Sequence, residues 1–455
     1  MAMLNGFDYY EVQFTKDGAI FDRSQLDQLL GNVNNYSDVF VIAHGWNNDE
    51  ADARALYNNL TRQLAAAMPR FPLPGRTFAV LGALWPSKKF ADAELIPGGG
   101  ASATQQDAVL ASKVERLKEA IAAKPEKSDP DPNAETAAAK LDDALPHIPN
   151  LDTSAQARAA FVAAVRAAFA GAAPSDTKDD ASDRLFTASA DDLLARLGND
   201  DDDFWDETPP RGGAASFGAN SFRPWTRSGG AAGLGSSITS FKNGARNLLN
   251  LFTYFTMKER AGVVGKSGAA RVLDELLAKK PSLKIHLIGH SFGGRLVTAA
   301  ADAVHKSGAD PGPIETLALL QAAYSHNGLS ANFDGHGAKG FFNGVMANKK
   351  VRGPIIISHT RNDRAVGIAY PLASRLNGDV ASGLGDANDP HGGMGSNGAQ
   401  KSDAKTNVAL TAGAQTFPFN RGNIYNLLAD TVISGHSDIT KPEVASAIFS
   451  AVSAT

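Results

Sequence analysis

The chain has 455 residues, with 44 Lys and Arg against 48 Asp and Glu, a net charge of −4 and an apolar fraction of 43%. This is enough apolar material for a large buried core, and the mild acidity argues against a nucleic-acid binder, which normally shows a basic face. With no cysteine, disulfides, thiolate metal sites and a cysteine nucleophile are all excluded.

From the N-terminus, Tyr9–Phe14 alternates, Asp17-Gly18 turns the chain, and Ala19–Asp22 resumes, which predicts a β-hairpin. Ser24 is the expected cap of a helix carrying Leu26, Leu29, Leu30 and Val33 on one face. Continuous apolar runs at Val39–Ala43, Val80–Trp85, Ile285–Ile288, Ile314–Leu320 and Pro354–Ser358 read as strands buried on both faces. Ile424–Ala429 is a last strand-like segment, and Gly268–Lys280 has Val272, Leu273, Leu276 and Leu277 in helical phase. Strands alternating with helices indicate an α/β fold around a mostly parallel sheet.

The alternation breaks between about Ser87 and Gly244, where the chain is rich in Ala, Asp, Gly and Pro. Helices are expected over Thr104–Ala123, Ala134–Leu145 and Ser154–Ala170, and residues 121–210 carry 19 acidic and 8 basic side chains. Residues 88–240 therefore read as a helical insertion or lid, and 1–87 with 241–455 as one α/β core of ordinary domain size. A second Gly-rich stretch, Asn377–Ala414, is expected to be a long mobile loop. No signal peptide or apolar stretch of bilayer length is visible, so the expected compartment is the cytoplasm, export without a cleavable signal being the alternative.

Gly289-His290-Ser291-Phe292-Gly293 fits G-x-S-x-G, between an apolar strand and a helix beginning at Gly293. The pattern alone is weak; the strand before it and the helix after it give it weight. A serine on such a turn needs glycines at 289 and 293, because side chains there would collide with strand and helix. The helix start also aims a partial positive charge at the serine.

On these residues the chain resembles the α/β-hydrolase superfamily, in its lipase and esterase branches with an HG-type oxyanion loop, over Phe7–Ser87 and Phe241–Ala451. The resemblance implies that an acid and then a histidine follow the serine. Asp363, directly after the strand Pro354–Ser358, is the first candidate acid, with Asp430 and Asp438 as rivals and Arg361 and Arg364 as potential ion-pair partners. His436, in a polar turn after Ile424–Ala429, is the candidate base, with His326 and His359 as rivals. An imidazole must take the serine proton, and the acid must hold the imidazole tautomer. By resemblance the oxyanion donors are the backbone N–H groups of Phe292 and of Trp46, in His44-Gly45-Trp46-Asn47-Asn48. His44 is expected to brace that loop, and His290 to point away from the serine as a packing residue. Leu248, Leu249, Leu251, Phe252 and Phe255 fall on one helical face, with Tyr254 nearby, as core or as an acyl pocket.

The expected activity is cleavage of carboxylic esters or lipids without cofactor or metal. Thioester or amide hydrolysis would use the same groups, and a non-catalytic interaction protein on the same fold is the other reading. The expected ligand is a small ester or lipid, with no nucleic acid partner and no transmembrane segment; oligomeric state stays open.

Overall fold

The computed structural model describes residues 2–87, 103–122, 132–169, 184–198, 240–306, 312–369, 387–389, 391–402, 405–413 and 415–455. Ten strands form one sheet: β1 (Ala2–Leu4), β2 (Phe7–Phe14), β3 (Ile20–Asp22), β4 (Asp38–Ala43), β5 (Phe78–Leu84), β6 (Lys284–His290), β7 (Ile314–Leu320), β8 (Ile355–His359), β9 (Lys405–Ala409) and β10 (Ile424–Leu428). Their order is β1-β2-β5-β4-β6-β7-β8-β10-β9, with β3 also on β2. β1 and β3 pair antiparallel at the edge and every other pairing is parallel. The sheet is thus mostly parallel and lies between helices, an α/β architecture.

The continuous apolar runs become the central strands because both faces of each are covered. Side chains alternate across the sheet, so Val39, Val41, Ala43, Ile285 and Leu287 face one apolar cluster while Phe40, Ile42 and Ile288 face the other. On the first face lie α1 (Ser24–Asn32) and α10 (Phe292–Ala303); on the second lie α2 (Glu50–Ala67) and α14 (Pro442–Ser453). Chain leaving β4 therefore enters a helix on one face, and chain leaving β6 enters a helix on the opposite face. β4 and β6 are neighbours, so a crevice opens between their C-terminal ends, at the switch point where open α/β sheets bind ligands.

The helical expectations for the middle of the chain hold with small shifts in bounds. They correspond to α3 (Ala103–Ala122), α4 (Pro132–Lys140) running into a 3-10 segment Leu141–Asn150, and α5 (Ala155–Phe169), followed by α6 (Arg184–Thr187) and α7 (Ala190–Gly198). Although poor in large apolar residues, these helices bury Val114, Leu117, Leu141, Ile148, Phe161 and Leu194 in a cluster continuous with the first face of the sheet. The link is α8 (Ser240–Val263), which continues through a π-helical turn, Val264–Ala269, into α9 (Ala270–Lys279). The missing side chain at Gly265 makes that turn fit, since a Cβ there would lie 2.2 Å from the Leu296 carbonyl oxygen of α10.

Two expectations are corrected. Ser24 does not cap α1: the N-cap is Arg23, and it is Asp22 whose carboxylate accepts from the Ser24 N–H at 2.8 Å, because the helix begins one residue earlier than the cap reading requires. The stretch Asn377–Ala414 is not one loop. Where it is described it holds α13 (Met394–Asn397) and β9, whose register with β10 puts Asn407 opposite Asn426. The short helices α11 (Asn343–Ala347) and α12 (Arg364–Ala369) complete the described fold. Among the described residues no helix is long and apolar enough to cross a membrane.

At the N-terminal end of the central strands lies a buried charge network. Asp38, wholly inaccessible, accepts from His286 Nε2–H at 2.8 Å and from the Arg76 guanidinium, while His286 Nδ1 accepts from the Thr316 hydroxyl at 2.9 Å. Burial works to raise the Asp38 pKa, but the hydrogen bonds from His286 and Arg76 win and hold it well below the ordinary carboxylate range. Removing the carboxylate by Asp38→Ala strands a buried cation, and urea unfolding at pH 7 is expected to register a loss of about 3–5 kcal/mol. Because the folded pKa is depressed, this stabilisation is complete above the unfolded-state pKa of about 4 and fades as pH falls below it. The variant and wild-type stabilities therefore converge in acid.

Candidate active site

The residues around the β4–β6 crevice come from loops that each follow a strand. Ser291 sits between the last residue of β6 and the first of α10, at φ 56° and ψ −125°, a conformation an L-residue adopts only under constraint. The constraint is visible: its N–H donates to the Leu320 oxygen at 3.1 Å, and its oxygen accepts from Gly294 and Ala323 N–H groups at 2.9 and 3.1 Å. The two glycines have the roles expected of them. A Cβ on Gly289 would lie 2.3 Å from the Gly293 oxygen, and one on Gly293 2.2 Å from the Ala43 oxygen at the end of β4.

His436 lies beyond β10 and Asp363 beyond β8, and the structure brings both to Ser291. The Ser291 hydroxyl is 2.8 Å from His436 Nε2, and His436 Nδ1 is 2.9 Å from Asp363 Oδ2. With Nδ1–H donating to the carboxylate, Nε2 carries a lone pair directed at the Ser291 hydroxyl; this tautomer follows from the hydrogen-bond partners. Ser291 and Asp363 are buried, whereas 14% of the His436 side chain remains accessible, so the imidazole is the member open to the crevice.

Asp363 is held from several sides. Its Oδ1 accepts from the Val366 N–H at 2.9 Å, capping α12, and its Oδ2 also accepts from Gln321 Nε2 at 3.2 Å. Of the two flanking arginines, Arg361 does not neutralise it but pairs with Asp430 at 2.7 Å. Asp430 also accepts from the Thr360 hydroxyl and the Arg361 N–H, while Asp438 is engaged by Ser434 and Lys441. The rival acids thus serve as loop braces. The rival histidines are placed elsewhere too, His326 beside Asn397 and His359 beside the Ser396 carbonyl.

The loop after β4 meets Ser291 directly. A Cβ on Gly45 would fall 2.8 Å from Ser291 Cβ and 3.3 Å from its Oγ, so glycine alone fits there. The Gly45 oxygen accepts from the ring of His44 at 3.0 Å and from Asn48 Nδ2 at 3.2 Å. In a planar trans peptide the N–H is opposite the carbonyl, so fixing the Gly45 oxygen on that side turns the Trp46 N–H the other way. His44 Nε2 accepts from the Trp85 N–H at 3.3 Å, which leaves the proton on Nδ1, and burial lowers its pKa to about 4. The Phe292 N–H, first in α10, has no acceptor within its own helix. Trp46, Phe292 and Tyr254 form an aromatic wall beside the serine, with Tyr254–Phe292 centroids 4.9 Å apart and Trp46–Phe292 6.0 Å. Of the apolar stripe on α8, Tyr254 reaches this wall, while Leu248, Leu249, Leu251 and Phe252 are buried in the core.

His290 is misread by the sequence. Its ring does not point away: Nε2–H donates to the His436 backbone oxygen at 2.9 Å, the two rings lie 5.0 Å apart, and Nδ1 faces Gly45. Burial first, and then the His436 ring, depress its pKa to about 3, so it stays neutral. It therefore braces His436. Gln321, Asn48 and Asn362 likewise have roles that the sequence does not assign. Asn362 Nδ2 donates to the Asp430 and Ile433 oxygens at 2.9 and 2.8 Å, tying the acid loop to the histidine loop. The available signal was a polar residue immediately after an apolar strand, as Gln321 follows Ile314–Leu320.

No family model, curated protein or solved structure matches this chain.

Proposed function

We propose that the protein is a serine hydrolase of the α/β-hydrolase type that cleaves carboxylic esters through an acyl-enzyme. The observation that carries this reading is the unbroken hydrogen-bonded series Asp363–His436–Ser291, ending in a hydroxyl on a strained turn at the sheet's switch point. Its order along the chain, serine then acid then histidine, is the one the superfamily resemblance implies.

In this mechanism Ser291 Oγ attacks the ester carbonyl as its proton passes to His436 Nε2. Asp363 stabilises the imidazolium and remains ionised. The oxyanion is held by the Phe292 N–H, at the positive end of α10, and by the Trp46 N–H. His436 then gives its proton to the leaving alcohol, and water attacks the acyl-enzyme by the same route in reverse. The aromatic wall favours an apolar acyl group over a charged one. Thioesters and amides remain alternative substrates of the same chemistry.

A fluorophosphonate probe tests the reading. It is expected to add once, on the peptide containing Ser291, and folded protein that takes up no label refutes a hydrolytic serine. Gly45→Ala pushes a methyl group into the nucleophile's contact surface and displaces the Trp46 N–H. Steady-state kinetics on a soluble p-nitrophenyl ester are expected to show kcat/KM lower by about 10²–10³, the loss typical of one missing oxyanion donor. Activity should rise with pH as the base sheds its proton. With His44 and His290 held neutral by burial, their pKa values lowered to about 4 and about 3, the acid limb has unit slope despite three imidazoles in the site.

A further inference from the structure

A cavity of about 640 Å³ lies among the helices of residues 103–198 and α8, away from the crevice. Its size is that of a small-molecule site. None of the residues placed above around Ser291 lines it. Phe252, Phe255, Thr256, Glu259 and Val263 face it at helical spacing, whereas Tyr254 faces the aromatic wall on the other side of α8.

Its lining has two parts. Phe169, Phe186, Phe252 and Phe255 supply an apolar floor, in which Phe169 and Phe252 stack at 4.3 Å and Phe186 meets Phe252 edge-on at 6.2 Å. Against this floor stand three cations, Lys16, Lys140 and Arg260, and one carboxylate, Glu259, among the described lining residues. Arg260 is the informative one. It is 8% accessible, and its partners among the described residues are two neutral carbonyls, Pro86 oxygen at 2.8 Å and Ala120 oxygen at 2.6 Å. Burial lowers its pKa to about 10, so it still carries its charge at neutral pH. A guanidinium has five N–H donors, and a buried cation matched only by carbonyl oxygens lacks the counter-charge that ordinarily accompanies burial.

We propose that this cavity is a binding site for an amphiphilic carboxylate, with the carboxylate beside Arg260 and the hydrocarbon tail between the phenylalanine rings. The arrangement supplies what each half of such a molecule needs: a fork of donors for the head and an aromatic surface for the tail. It is separate from the ester-cleaving site and does not depend on that site being catalytic.

The test is calorimetric titration of the full-length Ser291→Ala protein with dodecanoate, below its micelle concentration, which removes turnover from the measurement. Saturable binding at one site per chain is expected, with dodecanol and dodecyltrimethylammonium at least tenfold weaker. Arg260→Gln should weaken dodecanoate at least tenfold while leaving dodecanol unchanged. Ala137→Trp, which fills the cavity from α4, should abolish binding, with a cooperative melting transition verifying its fold. Absence of saturable binding, or dodecanol binding as tightly as dodecanoate, overturns the proposal. So does undiminished binding in folded Ala137→Trp, which would put the ligand elsewhere, in the crevice included. If both cavity variants misfold, the head-group comparison on the otherwise unaltered chain still overturns the proposal should dodecanol bind as tightly as dodecanoate.

Discussion

Ser291→Ala is expected to lower kcat/KM for a p-nitrophenyl ester by roughly 10⁶-fold, the scale on which removing a triad nucleophile acts. Nothing else in the site is arranged to take over. Losing the hydroxyl leaves His436 Nε2 facing a methyl group, and the proposed acyl-enzyme route closes because no oxygen remains to form the ester bond. The oxyanion donors and binding surface survive, so a residual rate above that in water is expected. Thermodynamic stability should change by less than about 0.5 kcal/mol, since the backbone bonds to Leu320, Gly294 and Ala323 do not involve the side chain. Ser291→Gly provides the counterpart. It removes the same hydroxyl but also relieves the positive φ of 56°, so it should be equally inactive and about 1 kcal/mol more stable. Denaturant unfolding beside single-turnover assays separates the two effects. Retained activity in Ser291→Ala would place the chemistry on another residue.

How far the sequence reveals this site depends on the range of the interaction concerned. The strands around Val39–Ala43, Ile285–Ile288 and Ile314–Leu320 were legible because burial on both faces demands an uninterrupted apolar run, a purely local signal. The G-x-S-x-G turn was legible from its local setting between strand and helix, and Gly289 is dictated by contacts within that unit, whereas Gly293 is required by the Ala43 oxygen of β4. Asp363 and His436 were legible only as candidates, because strand ends bring several acids and histidines to one rim. Choosing among them needs the observed pairing of Arg361 with Asp430 and of Lys441 with Asp438. The braces were not legible at all. His290 bonds a backbone oxygen 146 positions away, Gln321 a carboxylate 42 positions away, and neither partner leaves a mark on the local pattern. The edge strand Lys405–Ala409 was missed on other grounds: its residues are largely exposed, so it lacks the apolar run by which the central strands were found.

Asp363→Asn should lower kcat by about 10⁴-fold with KM nearly unchanged, and the hydrogen bonds around the carboxylate explain why an isosteric change costs so much. The Val366 N–H needs an acceptor, so the asparagine oxygen stays where Oδ1 now accepts at 2.9 Å. Its amide nitrogen then occupies the Oδ2 position, where two donors already point: His436 Nδ1–H at 2.9 Å and Gln321 Nε2 at 3.2 Å. Two N–H groups cannot share that contact, so the imidazole is driven to the tautomer with its proton on Nε2. That tautomer presents a donor to the Ser291 hydroxyl and cannot accept its proton. The reverse amide orientation keeps the imidazole correct but sets a donor against the buried Val366 N–H, a penalty of about 1–3 kcal/mol that selects against it. Asp430→Asn and Asp438→Asn disturb braces and leave the tautomer intact, so they should lose no more than about tenfold. Steady-state kinetics on the three variants decide the assignment: a 10⁴-fold loss that followed Asp438 in place of Asp363 would transfer the acid's role to the histidine's own loop.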